Sequence, residues 1–311
     1  MKRFIKKVFI YCLVLFAFAF CVDYHISHYL RYNKDREFKA WGDLYNQQLS
    51  SEVVINGSSR AWVQYNPIVL DTILNTSSFN LGIDGSAINR QILKYKVYCK
   101  QQKTLPKLII QNLDFATMVQ TSGYEREQFF PMFIFDRESM KQFSQYENFD
   151  FFEKYIPCYR YIGYPKIVQS AFGMNQLYYG DTLIKGYCAQ NRTWDGTEFN
   201  KIETINYSQD PDALNMFDGF LNDVTEKGTK VFFVYAPIYI GVSKKIVNIE
   251  GMYEMYDTLA KKYNIPILDY NYDSICYDTT YFYNATHLNK KGSELFSVKL
   301  AHDIDSLQLL N

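Results

Sequence analysis

The residues whose types and spacing could do chemistry are a serine pair, Ser58-Ser59, and a distant histidine, His287. Val53-Val54-Ile55 runs through Asn56-Gly57 into Ser58-Ser59-Arg60 and then into a helical-looking Ala61-Trp62-Val63-Gln64-Tyr65. A serine at such a strand-to-helix turn carries its hydroxyl at the carboxyl end of the strand. The first N–H groups of the following helix have no intrahelical acceptor, so one spot offers both a nucleophile and donors for an oxyanion. Serine is also a common helix N-cap, and the turn alone does not decide between the two roles. A serine nucleophile needs a base. The chain has 4 histidines. His25 and His28 lie beside an apolar N-terminal segment, and His302 falls in a terminal helix among Lys299, Asp303 and Asp305, a solvent-facing setting. His287 sits in the loop Tyr281 to Asn289, after the last expected strand and just before a helix, hence at the same sheet edge as Ser59.

Composition removes several other chemistries. With 33 Lys+Arg against 33 Asp+Glu there is no basic excess to neutralise phosphates, so nucleic acid is not an expected partner. Of the 6 cysteines, Cys12 and Cys21 lie in the apolar segment. Cys99, Cys158, Cys188 and Cys276 form no CxxC and no short Cys/His pair, so no metal site or cofactor is expected and no disulfide is assigned. The turn Asn56 to Arg60 has one glycine and no lysine, which argues against a phosphate-binding loop.

The elements that must position Ser59 and His287 alternate. Short apolar runs at Glu52 to Ile55, Ser78 to Leu81, Lys107 to Leu113, Lys230 to Ala236 and Ile265 to Tyr270 read as buried strands. Helical stretches at Ser86 to Gln102, Asp212 to Glu226, Met252 to Tyr263 and Asn289 to Leu307 separate or follow them. Such alternation indicates right-handed crossovers and a parallel sheet covered on both faces, with ligands at the carboxyl ends of the strands. One stretch, about 116–213, breaks the pattern and reads as an insertion. Within it, residues 129–164 hold thirteen Phe or Tyr in thirty-six, twice the 18% aromatic content of the chain. Aromatics at that density either line a groove for a glycan or acyl chain or form the insertion's own core.

At the N-terminus, Lys2, Arg3, Lys6 and Lys7 flank an apolar run that reaches Val22. Counted from Phe4, with Lys6 and Lys7 snorkelling, it is long enough to span a bilayer. The positive flank keeps the N-terminus cytoplasmic and exports the rest, to the periplasmic or cell-surface side. Ala17-Phe18-Ala19 has the small-x-small form of a cleavage site, but the run continues past it, which favours an uncleaved signal anchor over 1–22. Residues 23–50 read as a stalk or first helix, and 51–311 as the main domain.

Three blocks in order, Gly57-Ser58-Ser59-Arg60, Asn80-Leu81-Gly82-Ile83-Asp84-Gly85 and Asn284-Ala285-Thr286-His287-Leu288-Asn289, resemble those of the SGNH (GDSL-like) hydrolase superfamily. The closest flavour is the membrane-anchored group that includes the D-alanine transfer protein of teichoic acid modification and the alginate O-acetylation proteins. The resemblance implies an α/β fold, a three-layer α/β/α sandwich with a flavodoxin-like parallel sheet, to which the aromatic-rich insertion and the N-terminal transmembrane helix are additions. It implies Ser59 as nucleophile, His287 as base, and an oxyanion hole from the N–H groups of Ser59 and Gly85 with the side chain of Asn112. Asn112 is a poor match, and Asp114 falls nearer the expected place, where a carboxylate would repel an oxyanion. Where the family has Asp-x-x-His this chain has Asn284-x-x-His287, which leaves three outcomes: a Ser-His dyad, an acid such as Asp278 substituting, or a degraded site. Arg60 is placed to hold an acidic substrate group or to pair with a structural carboxylate. The expected activity is that of a serine esterase or O-acyltransferase acting on acyl or acetyl esters of envelope or exported polysaccharide. The expected partners are an acylated carbohydrate or acyl donor and a multi-spanning membrane acyltransferase. The alternative is a catalytically degraded glycan-binding or scaffold protein with the same fold.

Overall fold

The computed structural model describes the chain apart from residues 47–48, 103, 116, 119–125, 178–182, 198, 200–202 and 311 and the side chains of residues 36, 37 and 146. Two compact units result, one of residues 1–43 with 122–180 and one of residues 44–121 with 181–311. The stretch expected as a single insertion is therefore divided: 122–180 falls in the first unit and 181–213 in the second. Its first residue, Ala116, lies outside the described residues.

The first unit is built on α1 (Lys2–Arg31), an unbroken helix of 30 residues. Its burial runs opposite to its hydropathy. The apolar portion, including Phe4, Phe9, Leu15 and Phe18, is exposed, whereas the polar end buries Asp23, Ile26, Ser27 and Leu30. Those four lie at i, i+3, i+4 and i+7, one face of a helix. Against that face pack the short helices Met132–Phe135 and Pro165–Ala171. Asp23 forms a buried ion pair with Arg160 and accepts the Cys158 N–H at 2.7 Å, and the Ser27 and Tyr161 hydroxyls share a hydrogen bond of 2.7 Å. Trp41 stands edge-on to Phe129 and Phe143, and its indole N–H donates to Gln128 at 2.8 Å. The segment expected as a stalk or first helix is helical and is packed, through Asp23 to Trp41, into a small core with aromatics of the insertion.

The second unit is a three-layer α/β/α sandwich. Its sheet consists of β1 (Val53–Asn56), β2 (Ser78–Asn80), β3 (Leu108–Asn112), β4 (Lys230–Tyr235) and β5 (Ile267–Asp269), all parallel, in the order β2-β1-β3-β4-β5. The strands form where the apolar runs predicted them, because a strand covered on both faces has no polar side to alternate with; only the edge strand β5, expected as buried, is half-exposed. Val53, Val54, Ile55, Leu108, Ile109, Ile110, Phe232 and Phe233 are all fully buried. On one face α2 (Ser59–Gln64) and the helix Pro67–Leu74 pack against the C-terminal α6 (Lys290–Ser306). The other layer is α3 (Ile88–Gln101), α4 (Pro211–Glu226) and α5 (Ile249–Tyr263), with α4 touching both neighbours and β4. Strand order reverses between β1 and β3, so the crevice at their carboxyl ends is where such a fold takes ligands. Ser58-Ser59 leaves β1 there, and Leu113-Asp114 leaves β3. A hairpin of β6 (Phe282–Asn284) and β7 (His287–Leu288) precedes α6.

Candidate active site

Ser59 is the first residue of α2, with Ser58 extended before it. The turn requires the glycine ahead of them. Gly57 has φ +154°, and a Cβ there would stand 2.7 Å from Ala61 Cβ and 2.8 Å from Asn112 Cβ. The second block is bonded onto the first: Ile83 donates its N–H to Gly57 O at 3.2 Å and Leu81 to Ile55 O at 2.7 Å. Asn80, wholly buried, donates to the carbonyls of Ala61 and Tyr65 and accepts the Gly82 N–H at 2.8 Å. Gly82 passes so close to α2 that a Cβ would lie 2.3 Å from Trp62 N. Asn80 and Gly82 therefore seat the helix that carries Ser59, a role visible only once β2 lies beside β1.

Ser59 Oγ lies 2.7 Å from His287 Nε2. The hairpin puts Asn284 opposite His287, and Asn284 Oδ1 is 2.9 Å from His287 Nδ1. The Thr286 backbone N–H, which can only donate, bonds the same oxygen at 3.0 Å. That fixes the amide with its oxygen toward the ring, so Nδ1 carries the proton and Nε2 is left to accept from the Ser59 hydroxyl. Thr286 Oγ1, 2.9 Å from Nδ1 and 3.2 Å from Asn284 Oδ1, braces both, and the Tyr283 ring stacks over the imidazole at 5.4 Å. The imidazole pKa is pushed down to about 3, first by loss of hydration and then by the nearby Arg60 guanidinium. His287 is thus neutral throughout the ordinary pH range, as a general base must be.

Asp278 does not take the acid's place: it is exposed and caps the turn at Thr280, whose N–H it accepts at 2.9 Å. Asp114 is buried one layer behind the serine. It accepts a very short hydrogen bond from Ser58, bonds from Asn112 Nδ2 and Thr117 Oγ1 at 3.1 Å each, and supplies its carbonyl to Tyr256. Asn112 in turn accepts from Tyr65 at 2.8 Å. Three donors satisfy the Asp114 carboxylate, and its task is to hold Ser58 and the end of β3 together. Asn112, expected as an oxyanion donor, is fully buried with its oxygen and one amide hydrogen committed to this network. Gly85 sits at an exposed turn with φ +58°, a conformation that suits glycine. Arg60 departs from the expected substrate contact. It is 5% exposed and donates to the Ala236 carbonyl at the end of β4 and to Gln64, so it ties α2 to the sheet.

In known proteins, no family model matches the chain, nor does any curated protein. Among solved structures it is similar to a GDSL-like lipase from Bacteroides thetaiotaomicron, with 11% identity over 88% of this chain and 98% of that one and a TM-score of 0.45. A proposed acylhydrolase from Bacteroides fragilis gives 10% identity over 84% and 89% of the two chains, with a TM-score of 0.41. A proposed lipolytic protein of the G-D-S-L family from Desulfitobacterium hafniense gives 12% over 81% and 99%, also at 0.41. Likenesses this distant carry nothing about the site, which stands on its own geometry.

Proposed function

We propose that the chain is a membrane-anchored, extracytoplasmic serine esterase or O-acyltransferase of the SGNH type. The observation that carries this reading is the unbroken relay Ser59 Oγ, His287 Nε2, His287 Nδ1, Asn284 Oδ1, with its tautomer set by Thr286. His287 takes the Ser59 proton as Oγ attacks an acyl carbonyl. The resulting oxyanion is received by the N–H groups of Ser59 and Gly85. The oxyanion collapses as His287 returns its proton to the departing alkoxide, leaving an acyl-serine. Water then regenerates the serine in an esterase, and a carbohydrate hydroxyl does so in a transferase. An amide oxygen orients the ring as a carboxylate would but gives the imidazolium only a dipole, so turnover is slow relative to a site with an acid at that place.

The helix α1 is long and apolar enough to cross a membrane by length and composition. With its basic N-terminal flank on the cytoplasmic side, it would hold the second unit outside, where envelope polysaccharides carry acyl esters and where a multi-spanning acyltransferase would deliver acyl groups. The test is labelling of the full-length chain in detergent by a fluorophosphonate, which reports an activated serine without knowledge of the substrate. Wild type should label, and Ser59→Ala and His287→Ala should not, with unchanged thermal transitions. A wild-type chain that resists the probe would favour the second reading, a binding protein, for which the specific observation is that His287 Nδ1 meets an amide and a hydroxyl instead of a carboxylate.

A further inference from the structure

The aromatics of the first unit divide into two sets. Phe129, Phe130, Phe143 and Phe149 are buried as its core. Phe151, Phe152, Tyr155 and Ile162 are 53 to 69% exposed, although the helix that carries the first three, Phe151–Tyr155, is firmly held. Asp150 and Glu153 form a reciprocal cap at its start, and the same Glu153 takes both bonds of Arg126 at 2.8 and 2.9 Å. An ordered apolar ridge open to water marks a surface that something covers.

Its height along α1 says what covers it. Cys158 Sγ bonds the Ala19 carbonyl at 3.1 Å, and the Cys158 N–H bonds Asp23. Ala19 lies three residues inside the end of the apolar run at Val22, about 4.5 Å below it at 1.5 Å per residue. The ridge is therefore pinned at the level where α1 would leave a bilayer. Beside it, a groove of about 480 Å³ opens between α1 and the insertion. Phe16, Phe20, Phe133 and Met140 contribute apolar walls, and Arg137, Lys141 and Lys154 add cationic groups. Apolar walls beside cationic groups match a phospholipid, acyl chain against the first and phosphate against the second.

We infer that the segment Phe151 to Ile162 dips into the outer leaflet beside α1 and that a phospholipid occupies the adjoining groove. This rests on the anchor reading of α1, and the test separates the two. The full-length chain would be reconstituted into phosphatidylcholine and phosphatidylglycerol vesicles, with and without phosphatidylcholine brominated on the upper acyl chain. The parent would be compared with Phe152→Trp, Ile162→Trp and Tyr32→Trp; Tyr32 is an exposed site past the end of α1. The added tryptophan at 152 or 162 should lose roughly half its emission to bromine, as expected for side chains at about 5–10 Å depth, and that at 32 should lose little. If the tryptophans at 152 and 162 stay as bright as that at 32 while the chain resists alkaline extraction, the ridge is covered by protein, a second copy or a partner, and the inference is overturned although the anchor stands. Release of the chain by alkali would overturn the anchor and the docking together.

Discussion

The buried polar cluster of the first unit and the relay behind Ser59 in the second differ in charge. In the first, the buried cluster is ionic: Arg160 and Asp23 have side chains 3% and 1% exposed, and Ser27, Tyr161 and the Cys158 N–H surround them. In the second, the relay behind Ser59 is neutral from the hydroxyl through the imidazole to the amide, and the Asp114 carboxylate just past β3 accepts from Ser58, Asn112 and Thr117. A buried ion pair fixes geometry and cannot change state cheaply, because removing either charge strands the other. A neutral relay with one movable proton can, and so the difference separates a joint from a site. On the proposed mechanism Asn284 should therefore matter more than Asp114, because only the former touches the group whose charge would change.

The largest effect should come from breaking the joint. Asp23→Ala leaves the Arg160 guanidinium buried without its counter-ion, which costs about 3–5 kcal/mol. Urea denaturation of the detergent-solubilised chain, followed by proteolysis of residues 126–177, should show that loss. The double change Asp23→Leu with Arg160→Met should recover most of it, since removing both charges also removes the desolvation cost. A single variant as stable as wild type would show that the pair contributes nothing.

Charging the relay should sharpen the comparison from the other side. Asn284→Asp places a carboxylate on Nδ1, raises the imidazole pKa from its depressed value and stabilises the imidazolium formed during attack. Fluorophosphonate labelling at neutral pH should accelerate by about tenfold or more, roughly 1.4 kcal/mol or more of barrier. Equal or slower labelling would mean that the imidazolium is not formed on the path, and the mechanism above would fall.

The depressed histidine carries its own pH signature. Because the folded-state pKa of about 3 lies below the ordinary 6.5, the fold binds neutral His287 in preference. Its contribution to stability is fully present above pH 6.5 and is lost as pH falls toward 3. Over the same window labelling should stay level, since the base remains unprotonated until the folded pKa is reached. His287→Gln should flatten the acid slope of the thermal transition, and an unchanged slope would assign the titration to other groups.

How legible these features were depends on whether the signal is local. All five strands of the sheet were readable because each is an apolar run that needs no partner to be recognised, and the meeting of Ser59 with His287 was readable from the turn and loop that follow such runs. Asp114 was not. Its distance from β3 suggested the oxyanion hole, but whether it meets substrate or Ser58 depends on how β3 lies against β1, which no short pattern encodes. Arg60 likewise read as a partner for an acidic substrate group or a structural carboxylate, and it is bonded instead to the carbonyl just past β4, 176 residues away. The partition of the insertion was hidden for the same reason: the Asp23 to Arg160 pair spans 137 residues, and a polar residue past an apolar run gives no hint of a distant counter-ion.

The smallest effect should be at Ser58. Its hydroxyl gives Asp114 one of three donors, and Ser58→Ala leaves Asn112 and Thr117 in place. The loss should be about 1–2 kcal/mol of stability, the scale for removing one hydrogen bond to a charged group that keeps its others. Labelling of Ser59 should fall only a few-fold, because the Ser59 to His287 bond does not pass through Asp114. If Ser58→Ala instead abolished labelling with the thermal transition intact, Asp114 would belong to the chemistry and not to the frame, and the distinction between joint and site would have to be redrawn within the second unit itself.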